Sequence, residues 1–333
     1  MYTFRTFLSH GNILWARGLL SAKKPVGSTV RTFVATTAQK IPNFIGGKME
    51  MSQATHWYEV HDPATQELVA SCPQSTPEEM ERATAAAKAA FPGWRDTPVQ
   101  QRQRVMFKYQ QLIREHWDEL AEGITKEQGK TFADARGDVF RGLEVVEAAC
   151  QASVLMLGDC LENLASGVDT HSYRQPLGVC AGICPFNFPA MIPLWMVPLA
   201  VVAGNTFVLK PSERTPATAV RLAALLQEAG LPDGVLNVIH GGPDAVNFIC
   251  DHPAVRAISF VGSGRAGEHI HARGSAAGKR VQANLAAKNH AVLLPDCAKD
   301  AALDAVVGAA FGAAGQRCMA LSACVLVGEA RGW

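Results

Sequence analysis

Apolar and polar positions alternate in short runs between residues 41 and 72, a pattern of strands and turns with His61-Asp-Pro-Ala64 as the turn between extended runs. Thr76-Pro-Glu-Glu79 then opens a helix. Thr76 is its N-cap, Pro77 takes the first helical position, and Glu79 closes a capping box before an Ala-rich run to Phe91. Residues 98–128 and 131–157 carry the spacing of amphipathic helices, and 158–174 are polar and turn-rich, as in an extended hairpin. From residue 205 the rhythm changes. Strands are expected at 206–210, 235–240, 257–261 and 280–285, separated by helices at 215–229, 244–251 and 265–273. Leu222, Leu225, Leu226 and Ala229 share one face of the first of these helices, and Gly230-Leu-Pro-Asp-Gly234 stops it. A βαβαβ order of this kind predicts an α/β fold with a doubly wound, mostly parallel, Rossmann-like sheet.

Residues 175–209 carry no charge. That is long enough to span a bilayer, for which about 20 apolar residues suffice. Pro176, Pro185, Pro189, Pro193 and Pro198 argue against it, because each removes a backbone donor that lipid cannot replace. A buried core segment beside a site is expected instead.

The balance of 31 basic and 30 acidic residues points to neither nucleic acid nor an anionic membrane as partner. Its distribution is uneven. Arg5, Arg17, Lys23, Lys24, Arg31 and Lys40 precede the first acid, Glu50. A basic, acid-free leader on an acidic body reads as a mitochondrial transit peptide over residues 1–35, cleaved between 29 and 40. The nine cysteines have no zinc-ligand spacing, and a disulfide framework does not suit a chain this long. No metal site is expected.

Three stretches could carry chemistry. Gly262-Ser-Gly-Arg-Ala-Gly267 follows a strand and opens a helix, where glycines let a phosphate approach backbone N–H groups. No acid follows it between 269 and 295, so the companion ribose ligand is missing, and a plain tight turn is the alternative. Lys210-Pro-Ser-Glu213 closes another strand of the series, which places Lys210 and Glu213 to bind a ribose; a solvated loop is the alternative. Cys318 follows Arg317 and a glycine-rich helix, and a nearby cation favours the thiolate.

Pro185-Phe-Asn-Phe-Pro189, Lys210-Pro-Ser-Glu213, Phe260-Val-Gly-Ser-Gly264 and Gly315-Gln-Arg-Cys318 together resemble the aldehyde dehydrogenase superfamily, in order and spacing, from about residue 40 onward. Gln282-Ala-Asn-Leu285 and Gly315-Gln-Arg-Cys-Met-Ala320 are similar to its mitochondrial CoA-acylating branch, which acts on semialdehydes. The resemblance implies an NAD-binding domain at 36–157 and 175–287, an oligomerisation hairpin at 158–174, and the start of a second α/β catalytic domain at 288–333. A complete member continues beyond that point, so a C-terminally truncated chain is implied.

The same resemblance implies roles. Cys318 would be the nucleophile, and Asn187 with the Cys318 N–H would hold the oxyanion. Lys210 and Glu213 would bind the adenosine ribose and Ser263 the pyrophosphate, with Cys184, Phe186 and Arg214 lining the nucleotide pocket. Hydrolytic members place a Glu at position 284 as the base for water; here it is Asn284, with Ala286 and Ala287 in place of glycines. An amide cannot take a proton from water, so a thioester would persist until coenzyme A accepts it. Arg317 and Arg141 would bind a substrate carboxylate, although a helix-surface ion pair with Asp138 is the alternative for Arg141. The implied reaction oxidises methylmalonate or malonate semialdehyde to propionyl-CoA or acetyl-CoA with loss of carbon dioxide, in valine and pyrimidine breakdown. The implied assembly is a homotetramer. The other class of reading is a non-catalytic variant that binds nucleotide or pairs with full-length subunits.

Overall fold

The computed structural model describes residues 39–333, so the expected leader lies outside the described residues. The N-terminal strands are β1 (Gln39–Lys40), β2 (Asn43–Ile45), β3 (Lys48–Glu50), β4 (Trp57–His61) and β5 (Leu68–Pro73). Helices α1 (Pro77–Asp96), α2 (Val99–Glu115), α3 (Trp117–Gln128), α4 (Phe132–Ala149) and the one-turn α5 (Ala152–Leu155) follow. The expected capping box is present: Thr76 Oγ1 accepts from the Glu79 N–H, and Glu79 Oε2 accepts from the Thr76 N–H. The single helix expected at 98–128 is broken at His116, which ends α2 and starts α3 at φ −105°, ψ 18°. The break lets α3 turn without losing its apolar face.

An exposed hairpin, β6 (Cys160–Ala165) and β7 (Val168–His171), occupies the turn-rich stretch. The uncharged segment then becomes β8 (Val179–Ile183), wholly buried, and α6 (Met191–Val202), largely buried. Pro193 sits in the first turn of α6, where its missing N–H would have no partner anyway. The alternation continues through β9 (Thr206–Lys210), α7 (Ala217–Glu228), β10 (Leu236–Val238), α8 (Pro243–Asp251), β11 (Val255–Val261), α9 (Gly264–Ala276) and β12 (Arg280–Asn284). Last come β13 (Asn289–Leu293), α10 (Lys299–Phe311) and β14 (Leu321–Leu326), a parallel pair joined by a helix.

The main sheet has seven strands in the order β12-β11-β8-β9-β10-β2-β3. Its first five strands are parallel, and β2 and β3 add an antiparallel edge. Side chains alternate across it. Phe207 and Leu209 pack with α2, α4, α6 and α7 on one face, while Val208 packs with Ile258 and residues of α1, α8 and α9 on the other. From β8 the chain winds outward through β9 and β10, then returns to lay β11 on the opposite side of β8. That reversal opens a crevice at the carboxyl ends of β8 and β11, where open α/β sheets bind ligands. Cys184–Asn187 and Gly262–Ser263 are the segments that flank it.

Candidate functional site

A cleft of about 920 Å³ occupies this crevice. Its lining includes Cys184, Phe186, Asn187, Lys210, Glu213, Arg214, Ser263, Arg317 and Cys318, so one cavity gathers nine of the ten expected site residues. Arg141 is not among them. It lies exposed on α4, with its carbonyl accepting from Trp195 Nε1. The ion pair considered for it with Asp138 is corrected by the structure. Asp138 points into the core and pairs with Lys130, because a buried carboxylate needs a partner that is buried too.

Lys210 stands at the end of β9 with its Nζ donating to the carbonyls of Gly241 (2.7 Å) and Pro211 (2.8 Å), 3.6 Å from Glu213 Oε2. Burial pushes its pKa down, and the Glu213 charge opposes that shift. Two of its three donors therefore hold loops, and the third lies on the Glu213 side. The Cys184 N–H bonds the Lys210 carbonyl, and its thiol, beside Met196, is pushed up to about 12 by burial. Cys184 is buried, where Cys318 is exposed. Arg214 lies over the Phe186 ring at 5.6 Å. Ser263 caps α9, its hydroxyl accepting from the Ala266 N–H at 3.4 Å, which leaves its own proton free to donate. The glycine pattern has a packing role: a Cβ on Gly267 would run into the Leu285 side chain, so this glycine is what lets α9 lie against the strand that leads to Ala286 and Ala287.

Cys318 is exposed, at the end of a tight turn over Gly312–Gly315. Ala313 and Ala314 are left-handed, with φ 50° and 54°, and Gly315 follows at φ 74°. Such a backbone costs an alanine about 1–2 kcal/mol, so contacts must hold the turn. Asn187 Nδ2 donates to the Gln316 carbonyl at 2.7 Å, Arg317 Nη2 donates to Asp134 Oδ1 at 2.7 Å, and Asn289 Nδ2 donates to the Cys318 carbonyl at 2.8 Å. The first of these uses one of the two amide protons that Asn187 could offer an oxyanion. Asn284 ends β12, its carbonyl accepting from the Gly262 N–H; the three residues after it line the cleft, while Asn284 itself does not. Among the described residues that line the cleft, Glu213 is the one carboxylate, against Lys210, Arg214, Arg265 and Arg317. Such a cationic cleft suits an anionic ligand.

Residues 49–330 match the aldehyde dehydrogenase family. The chain belongs to that family. Rat methylmalonate-semialdehyde/malonate-semialdehyde dehydrogenase [acylating], mitochondrial, is 58% identical over 318 residues, covering 95% of this chain and 59% of the rat protein. The human protein of the same name is 61% identical over 290 residues, covering 87% of this chain and 54% of its own length. Among solved structures, methylmalonate-semialdehyde dehydrogenase from Oceanimonas doudoroffii has TM-score 0.86 at 48% identity, covering 88% of this chain and 60% of that one. A Sinorhizobium meliloti structure described as this enzyme complexed with NAD also has TM-score 0.86, at 43% identity, with 89% and 60% covered. The chain thus spans about 60% of the length of the relatives it matches.

Within this aldehyde dehydrogenase fold, α4 and the loop before it hold residues that motif reading passed over. Lys130 Nζ is buried 3.1 Å from Asp138 Oδ2, donates to the Asn187 carbonyl at 2.7 Å, and lies 4.1 Å from the centre of the Phe188 ring. Asp138 Oδ1 accepts from the Met191 N–H. Burial pushes the Lys130 pKa down and that of Asp138 up, and each charge opposes the other's shift. The pair pins both ends of the 187–191 segment. Asp134 and Asp138 stand four residues apart on α4, a same-face spacing that could have flagged them.

Proposed function

We propose that this chain carries the nucleotide cleft and the nucleophile of a mitochondrial, NAD-dependent, CoA-acylating semialdehyde dehydrogenase. One observation carries the reading: exposed Cys318 shares a cationic cleft with Asn187 and Arg317, and the one carboxylate lining that cleft is engaged with Lys210. The residues fit a dinucleotide. Ser263 at the start of α9 suits the pyrophosphate, Glu213 and the remaining Lys210 donor suit a ribose, and Phe186 and Arg214 form a wall.

Cys318 attacks the aldehyde carbon as a thiolate. The second Asn187 amide proton, together with the Cys318 N–H, steadies the developing oxyanion; losing one such donor costs about 2.7–4 kcal/mol. NAD, held by Ser263, Glu213 and Lys210, would supply the acceptor for the hydride leaving the carbon bonded to Cys318. Arg317 holds the substrate carboxylate through its guanidinium fork. With Asn284 in place of an acid, no group there draws a proton from water, and the acyl group stays on sulfur until the thiol of coenzyme A displaces it. A malonyl-type acyl group loses carbon dioxide as the C–C bond electrons pass into the thioester enolate, which then takes a proton. Methylmalonate semialdehyde gives propionyl-CoA and malonate semialdehyde gives acetyl-CoA, steps that suit valine and pyrimidine breakdown. The exposed β6–β7 hairpin serves homotetramer formation, the segments 36–157 and 175–287 make up the NAD-binding domain, and 288–333 begin the catalytic domain.

The test is NADH formation from methylmalonate semialdehyde. One NADH per site without CoA and steady turnover with it support the reading; steady turnover without CoA rejects it. A second reading, nucleotide binding without independent turnover, rests on α10, which buries no residue and leaves Val307 and Phe311 exposed. NADH formation absent under both conditions, with NAD binding retained, selects that reading.

A further inference from the structure

Arg317 does not meet the cleft as a free cation. Its Nη2 donates to Asp134 Oδ1 at 2.7 Å, and both side chains are about one-third exposed, 30% and 34%. Asp134 is fixed in turn, its N–H donating to Thr131 Oγ1 in the first turn of α4. On its other side the guanidinium lies so close to Gly312 that any side chain there would collide with it. The charges around it pair off: Lys130 with Asp138, and Arg317 with Asp134. Asp134 and Arg317 also both act on Lys130, the first raising and the second lowering its pKa, so the four groups form one electrostatic cluster with no net charge.

We propose that Asp134 is a specificity-determining residue that shares Arg317 with the substrate carboxylate and thereby limits how strongly the cleft beside Cys318 captures anions. The proposal rests on the reading of Arg317 as the carboxylate anchor. A guanidinium has five N–H donors, and Asp134 takes one of them. The remaining donors can receive an incoming carboxylate, but that carboxylate approaches against the negative charge of Asp134. Recognition then depends on hydrogen-bond geometry rather than on a bare positive charge. Removing the Asp134 charge while keeping its shape leaves Arg317 held and uncompensated, which strengthens anion capture.

The test needs no turnover. Iodoacetate and iodoacetamide alkylate a thiolate with loss of iodide and differ in one carboxylate, so the ratio of their rates at Cys318 reports carboxylate recognition and cancels the thiolate fraction. Peptide mass spectrometry on the full chain reads Cys318, with exposed Cys324, outside the cleft, as the internal reference. The wild-type ratio at Cys318 exceeds that at Cys324, and Arg317→Gln lowers it to the Cys324 value. Asp134→Asn raises it about three- to tenfold, as expected for one unit charge removed several ångströms away in a partly screened site. Asp134→Glu, which keeps the charge, leaves it within about twofold. An unchanged or lowered ratio in Asp134→Asn, with Arg317→Gln still lowering it, overturns the role of Asp134 and spares the anchor. An unchanged ratio in Arg317→Gln removes the anchor and this inference together.

Discussion

The seven-stranded sheet and the segment from β13 to β14 are built from the same kind of unit, parallel strands joined by a helix, yet they are buried very differently. Every residue of β8 and β9 is buried, and helices cover both faces. The α10 helix buries none of its residues, while Val292, Leu294, Val307, Phe311 and Val325 are exposed. The proposed nucleophile lies at the seam. Cys318 belongs to the exposed segment, but it reaches the cleft through polar contacts to Asn187 and Asp134 on the buried side. The sheet supplies the rigid frame, and a few hydrogen bonds supply the register.

The largest expected effect falls on that seam. Cys318→Ser removes NADH formation, a fall of about a thousandfold or more, whereas Cys324→Ser, on exposed β14, leaves it nearly unchanged; equal losses would move the nucleophile elsewhere. Next comes the buried frame. Asp138→Ala strands the Lys130 charge in a site where both side chains are essentially inaccessible, at 1% and 0%, and should cost about 3–5 kcal/mol in urea unfolding. A cost below about 1 kcal/mol would mean that Lys130 finds water, and that the frame is looser than described.

A third effect depends on pH. Both carboxylate oxygens of Glu127 accept from the Ala217 N–H at the start of α7, and burial pushes its pKa up to about 8. A carboxyl whose pKa is raised on folding contributes its full stability below its unfolded value of 4.5 and loses it as pH rises through 8. Stability should fall by on the order of a few kcal/mol across that window, and Glu127→Gln should flatten the profile. An unchanged slope in the variant would assign the pH dependence to another group. The smallest effect sharpens the contrast itself. Amide exchange over 299–311 should be at least about a hundredfold faster than in β8 and β9, since protection follows buried packing. Comparable protection would show that the two regions share one cooperative core.

The strands and helices from residue 205 to 284 were legible because each is punctuated by glycine or proline and has a single period. The Thr76 cap was legible for the same local reason. The break at His116 was not, because the apolar spacing continues across it and only tertiary packing makes the chain turn. In the site, Cys318, Lys210 and Ser263 sit in short motifs whose spacing reports them. Lys130, Asp134 and Asp138 do not, because their partners Asn187 and Arg317 lie 57 and 183 residues away for the two contacts that matter. The one local signal, the four-residue spacing of Asp134 and Asp138 on α4, marks a shared face without telling a buried ion pair from a solvated one. Arg141 shows the converse: helical spacing offered Asp138 as its partner, but Asp138 is buried against Lys130 while Arg141 stays exposed.

The most direct measurement is intact-mass and peptide analysis of Cys318 after mixing the chain with NAD and methylmalonate semialdehyde in the absence of CoA. An acyl adduct on Cys318 that matches the NADH formed, persists in water and disappears on adding CoA is the predicted result. A free Cys318 thiol accompanied by continuing NADH release, or an adduct on a different cysteine, would contradict it.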